Sequence, residues 1–162
     1  MPKSMSKIMP KTNQDIELNT ELTELSDIDE LFDRGYERYQ AGEAPENLIP
    51  VFKEVCASSP KSAPAWSCLS WLYLLTEQNT LALKAAKKAV KADPTASQAR
   101  INLVLAMLET GEKGVREHIE VVQRINDVEP EVKESVTENI ADGLARKPDW
   151  KSLQRIQQWL SL

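Results

Sequence analysis

The stretch Ala63–Ala96, APAWSCLSWLYLLTEQNTLALKAAKKAVKADPTA, decides how the rest of the chain is read. Its large residues Trp66, Leu69 and Tyr73 precede a polar break at Glu77, Gln78 and Asn79. Small residues follow at Ala82, Ala86 and Ala89, and Pro94 closes the stretch. Spacings of three and four put each set on one face of a helix. A bulky face and a small face can then pack antiparallel across a short turn.

The pattern recurs on both sides. A shift back by 34 residues pairs Trp66 with Phe32, Tyr73 with Tyr39 and Pro94 with Pro60, without a gap. The same shift pairs Ala82, Ala86 and Ala89 with Leu48, Phe52 and Val55. A fixed period in this range marks stacked helical hairpins. Gly35 departs from the pattern, standing where the central unit has Leu69, and Gly42 suits the turn between two helices. With Asn47 as N-cap of the second helix, Pro50 falls in the first turn, where its missing N–H costs little. The forward shift gives Arg100, Leu103, Val104 and Met107, with Arg100 in the Trp position. After a two-residue insertion around Gly111–Gly114, His118, Val122 and Ile125 align with Ala82, Ala86 and Ala89, and Pro130 aligns with Pro94.

These residues resemble a tetratricopeptide repeat (TPR), whose signature is a Trp-Leu-Gly-Tyr first helix, an Ala-rich second helix and a closing Pro. Trp66, Leu69, Tyr73, Ala82, Ala89 and Pro94 match it, whereas Ser70 replaces the preferred Gly and Ala86 the preferred Phe. The resemblance implies an all-α fold: a right-handed superhelical stack of about three TPR hairpins, followed by two C-terminal capping helices. The expected units are 29–62, 63–96 and 97–130 within residues 27–130. About three such units are the minimum for a stable stack, because each buries its face on its neighbours.

Residues 1–26 are polar, carry Pro2 and Pro10, and are expected to form a flexible tail. Leu18, Leu22 and Leu25 do fall at helical spacing. A short amphipathic turn that folds back, or binds a partner, is the alternative to a solvated tail. Residues 131–162 are expected to cap the stack. Val132, Val136, Ile140 and Leu144 recur at four-residue steps, and Asp149 can cap a last helix bearing Trp150, Leu153, Ile156, Trp159 and Leu160. Whether Trp150 and Trp159 are both buried is open at this level, and one of them can mark a self-association patch.

Composition bounds the function. The 162 residues carry a net charge of -5 and no basic block, which argues against nucleic acid as the partner. Cys56 and Cys68 fit neither a metal-ligand spacing nor a disulfide framework, so a cytoplasmic location is expected. No apolar run approaches the ~20 residues of a membrane span, and the lysines near the start precede no apolar core of a secretory signal. His118 is the only histidine, and its aligned place between two helices suits packing better than catalysis. Cys68 reads as a small packed hydrophobe. With no Gly-rich phosphate loop and no Cys/His cluster, the expectation is a non-enzyme without cofactor or metal.

In TPR proteins the first helices of successive repeats line a concave surface that binds a partner's peptide or helix. The resemblance therefore implies a lining of Asp33, Glu37, Cys68, Trp71, Leu75, Ile101, Asn102 and Leu105 here. Trp71 is the sharpest of these, roughly 140° around its helix from Trp66 at 100° per residue, and a large aromatic off the core face is a candidate hot spot. The alternative is that capping helices or the tail cover it. A chaperone-type version of the family grips a partner's C-terminal carboxylate with a clamp. Its positions correspond to Asp33, Glu37, Cys68, Gln98 and Asn102, of which only Asn102 could serve in kind. The two acids would repel a carboxylate, so the expected partner is instead a protein segment with apolar anchors and Lys or Arg flanks. A homo-oligomer is the competing expectation. The phrases FDRGYERYQAGE and GVREHIE also resemble small TPR proteins of cyanobacteria and plastids, which implies a role in assembling photosynthetic complexes.

Overall fold

The computed structural model describes residues 10 and 12–162. Over that range the chain forms eight helices in four consecutive hairpins: α1 (Asn13–Gln40) with α2 (Pro45–Ser58), α3 (Ala63–Leu75) with α4 (Asn79–Ala92), α5 (Ser97–Thr110) with α6 (Val115–Val128), and α7 (Pro130–Arg146) with α8 (Lys151–Trp159). The all-α expectation holds. The helices α4 and α5 each begin 34 residues after α2 and α3, and α6 begins 36 residues after α4 because the turn carrying Gly111 and Gly114 is longer. Both glycines sit at positive φ, 75° and 101°, a conformation that side chains with a Cβ resist.

Size complementarity between paired helices holds the hairpins together. Ala82, Ala86 and Ala89 of α4 are fully buried, as are Leu48 and Phe52 of α2 to within 1%. Gly35 answers Phe52. A Cβ built on Gly35 would lie 3.0 Å from the Phe52 ring, whereas the central hairpin sets Leu69 and Ala86 at the equivalent places. The two hairpins thus exchange a small and a large residue across the same contact.

Arg100 is likewise accounted for. Trp66 donates its indole N–H to the carbonyl of Pro60 at 2.8 Å, and one repeat later Arg100 donates Nε–H to the carbonyl of Pro94 at 2.7 Å. In the last hairpin Gln154 does the same to Pro148 at 3.0 Å. Three chemically different donors thus satisfy a proline carbonyl six residues upstream, at the turns between hairpins for Pro60 and Pro94 and at the turn within the last hairpin for Pro148, each a carbonyl that would otherwise be left without a partner.

Three expectations differ from the structure. Residues 13–26 are helical, the N-terminal half of a continuous 28-residue α1, where a flexible tail had been expected; the part of that expectation falling on residues 1–9 and 11 lies outside the described residues. The helix starts there because Thr12 and Asp15 form a capping box: Thr12 Oγ1 accepts from the Asp15 N–H at 3.1 Å, and Asp15 Oδ2 accepts from the Thr12 N–H at 2.9 Å. Asn47 is not an N-cap. Helix α2 begins at Pro45, whose ring pre-sets φ for a first helical position. Pro50 therefore lies inside α2, exposed, so that water can reach the carbonyl it leaves unbonded. Asp149 does not cap α8 either; Trp150 occupies that position without a side-chain bond to the helix.

The last hairpin packs back on the stack. Both α7 and α8 contact α5, burying Val136, Ile140, Leu153 and Ile156 to 2% exposure or less. Trp150 is buried and Trp159 half-buried, its ring under the Arg155 guanidinium at 4.9 Å. No described helix is long and apolar enough to cross a membrane.

Candidate functional site: a half-closed concave face

Helix α7 lies across the face built by α1, α3 and α5, and a chain of polar contacts fixes it there. Trp71 Nε1 donates to the Tyr39 hydroxyl at 2.8 Å, and that hydroxyl donates in turn to the Asp142 carboxylate. Arg146, one turn beyond Asp142, pairs with it at 3.2 Å, donates to the Tyr39 carbonyl at 3.1 Å and stacks its guanidinium 4.1 Å over the Tyr39 ring. Burial, reinforced by the Asp142 hydrogen bond, raises the Tyr39 pKa, so the phenol keeps the proton it donates. A second chain runs beside the first. Asn139 donates to Gln98 at 3.0 Å, Gln98 to Asn102 at 2.9 Å, and Asn102 to the Ser67 carbonyl and the Ser70 hydroxyl at 2.9 and 3.0 Å.

Gly143 makes the close approach of α7 possible. A Cβ there would fall 2.7 Å from both Leu153 and the Trp71 ring. Trp71 also packs on Trp150, with ring centroids 5.5 Å apart. The indole that the sequence offers as a hot spot is therefore half-covered by the C-terminal hairpin and engaged on its N–H.

Between the two polar chains remains a cavity of about 110 Å³. Tyr36, Phe52, Cys68, Trp71 and Leu72 supply its apolar side, and Tyr39, Ser67, Gln98, Asn102, Asn139 and Asp142 its polar side. Tyr36 is 43% exposed, and Asp33 and Glu37 flank it on α1, both exposed.

The expected lining residues thus separate into two groups. Cys68, Trp71 and Asn102 line the cavity, whereas Asp33 and Glu37 are exposed on α1 near Tyr36 and are not among its lining residues. Ile101 and Leu105 are fully buried on α5 and line no part of the cavity, and Asn102, equally buried, meets the cavity only as part of its polar wall. Leu75 is half-buried against the core. The Asn102 amide, the one position able to serve a carboxylate clamp, is spent on Ser67 and Ser70. Burial first, then the neighbouring Cys56, pushes the Cys68 thiol up to about 12, the behaviour of a packed hydrophobe. His118 accepts from Arg100 at 2.8 Å, and burial followed by that guanidinium lowers its pKa. Among the described residues no group of three or more His, Cys, Asp or Glu side chains could hold a metal ion.

Sequence reading did not assign Tyr36, Tyr39, Phe52, Asn139 or Asp142 to this face, and named Gln98 only as the position of a clamp that is absent. Tyr36 was within reach, since it sits between Asp33 and Glu37 on one turn. The Asp142–Arg146 pair at i, i+4 is a common surface pattern that carries no sign of its partner on α1.

No protein-family model matches the chain, and no curated protein matches it. Among solved structures, the chain is similar to the Yersinia enterocolitica type III secretion translocator chaperone SycD, in a crystal form described as an alternative dimer. The match has a TM-score of 0.61 and 17% identity, and covers 85% of this chain and 96% of that one. At that identity the likeness concerns the fold. It adds nothing to the resemblance to cyanobacterial and plastid proteins. The chain and that chaperone share an all-α fold of sequential, TPR-like helical hairpins.

Proposed function

We propose that this protein is a non-enzymatic adaptor of the cytoplasm that holds a segment of a protein partner at the mouth of its concave face. One apolar side chain of that segment enters the cavity beneath Tyr36, and its Lys or Arg flanks meet Asp33 and Glu37. The cavity itself carries this reading. At about 110 Å³ it is smaller than the ~150 Å³ apolar cavity that accepts benzene and well below the ~300 Å³ at which small-molecule sites begin. One branched aliphatic side chain is what it fits. The exposed acidic rim supplies orientation and on-rate rather than bulk affinity.

Two further observations support the reading. The shared fold is that of a protein described as a chaperone, a role exercised by binding other proteins. Asn102 is buried and fully engaged, and Asp33 and Glu37 expose carboxylates on α1 near Tyr36, both of which oppose a C-terminal carboxylate as the ligand. Trp71 is a poor residue to test, because its removal would unseat α7. Tyr36 and Glu37 are exposed, so Tyr36→Ala with Glu37→Lys changes the rim and leaves the core intact. Affinity capture from the native organism, comparing this variant with the wild type, should lose one partner while thermal melting stays the same. Retention of every captured protein by the variant would exclude the concave rim.

A further inference from the structure

Seven large apolar side chains stand exposed among the described residues, and five of them fall in two places: Ile16, Leu18, Leu22 and Leu25 on α1, and Leu81 at the start of α4. Helix α1 has 28 residues and its hairpin partner α2 has 14, so the N-terminal half of α1 runs on as an arm of about 21 Å. Leu18, Leu22 and Leu25, each 55% exposed, fall within an arc of roughly 60° at 100° per residue. That stripe continues into Asp29, and Glu21 lies beside it. From Asn13 to Asp33 the chain carries eight carboxylates and no Lys or Arg.

The same molecule presents a surface of opposite character. Between α2 and α4 lies a groove of about 340 Å³. Trp66, Tyr73 and Leu81 contribute apolar surface to it, Lys53, Lys84 and Lys88 rim it, and no carboxylate lines it. Lys88 Nζ stands 4.3 Å over the Trp66 ring. The lysines found in ion pairs among the described residues are Lys87 and Lys147 instead.

We propose that this groove receives the α1 arm of a second copy of the chain, leucine stripe inward and carboxylates against the lysine rim. The pairing of two arms with each other is disfavoured, since it would bring two sets of eight carboxylates together. Arm on groove covers four of the seven exposed apolar side chains, Leu18, Leu22, Leu25 and Leu81, in one kind of contact and matches charge on both sides. An arm of this length covers on the order of 500 Å² on each side, which places the contact among weak, reversible interfaces. The association is accordingly concentration-dependent and weakened by salt. This contact is independent of the cavity beneath Tyr36.

Light scattering across a concentration series tests the proposal. The mass should rise above the monomer's 18.2 kDa as concentration increases, and fall back in high salt. Leu22→Asn with Leu25→Asn should stay monomeric. Glu21→Lys with Asp29→Lys, and separately Lys84→Glu with Lys88→Glu, should each be monomeric alone and associate when mixed, because the mixture restores opposite charges. All six positions are exposed, and circular dichroism melts confirm that each variant folds. A wild type that remains monomeric throughout, association that survives loss of the leucines, or charge variants that fail to associate when mixed would each overturn the proposal. Association kept by the leucine variant and lost on Trp159→Ala would assign the contact to the C-terminal helices instead.

Discussion

Gly143→Ala is the substitution in which the structure and ordinary helix energetics disagree most clearly. In an exposed helix interior, Gly to Ala stabilises by roughly 0.5–1 kcal/mol through backbone entropy. Here the added Cβ would lie 2.7 Å from Leu153 Cδ2 and from the Trp71 ring. Neither neighbour gives way cheaply. Leu153 is fully buried, and Trp71 is held by its bond to Tyr39 and its packing on Trp150. Overpacking of this kind costs about 1–3 kcal/mol. The net expectation is a loss of roughly 0.5–2 kcal/mol, which for a chain of this size lowers Tm by about 1–8 °C. The assay is thermal and urea unfolding followed by circular dichroism, with Ala141→Gly as control. Ala141 is exposed on the same helix and should lose roughly 0.5–1 kcal/mol by propensity alone. If Gly143→Ala raises Tm, α7 does not press on Trp71 and the half-closed face is wrong.

Further outcomes follow from other contacts. Tyr39→Phe leaves both the Trp71 N–H and Asp142 short of a partner, and should cost about 1–3 kcal/mol in urea unfolding. At position 100, tryptophan should be tolerated better than alanine, because an indole N–H can again reach the Pro94 carbonyl; equal melting temperatures for the two variants would contradict the shared-donor account. His118 has a folded pKa below its ordinary 6.5, so the unfolded chain takes up its proton first. Its contribution to stability is therefore intact above pH 6.5 and is lost as pH falls from there through the folded pKa. His118→Gln should flatten that part of the stability–pH curve. Cys56 and Cys68, each pushed up to about 12 by burial, should react slowly with a thiol reagent in the native protein and quickly once it unfolds. Rapid native labelling of both would show that the hairpin contacts open readily.

The 34-residue period was legible because packing leaves a local trace. Small residues at three- and four-residue spacing in α4, and prolines at the hairpin ends, follow from geometry inside one repeat. The start of α1 was also written in the chain, as Thr12 and Asp15 three positions apart. The pattern alone does not single it out, because the Leu18, Leu22 and Leu25 stripe that follows has no apolar partner among the described residues to pack on. The closure of the concave face was not legible. It depends on Gly143 meeting Trp71 and on Asp142 meeting Tyr39, pairs far apart in sequence that obey no repeat. For the same reason Ile101 and Leu105 read as groove lining: their place on the helix face is right for the fold, but the packing around α5 buries both completely. Arg100 looked like a break in the pattern because residue type was compared, whereas the conserved quantity between hairpins is a donor to one carbonyl.

The concave-face adaptor is tested most directly by site-specific photocrosslinking in extracts of the native organism. A photoreactive phenylalanine analogue at position 36, at the cavity mouth, is compared with the same analogue at position 128. Val128 is 74% exposed and belongs to none of the surfaces described above. The account predicts one discrete protein adduct from position 36, absent from position 128 and lost when Glu37 is changed to Lys. An adduct from position 128 alone, or one from position 36 indifferent to Glu37, would contradict it.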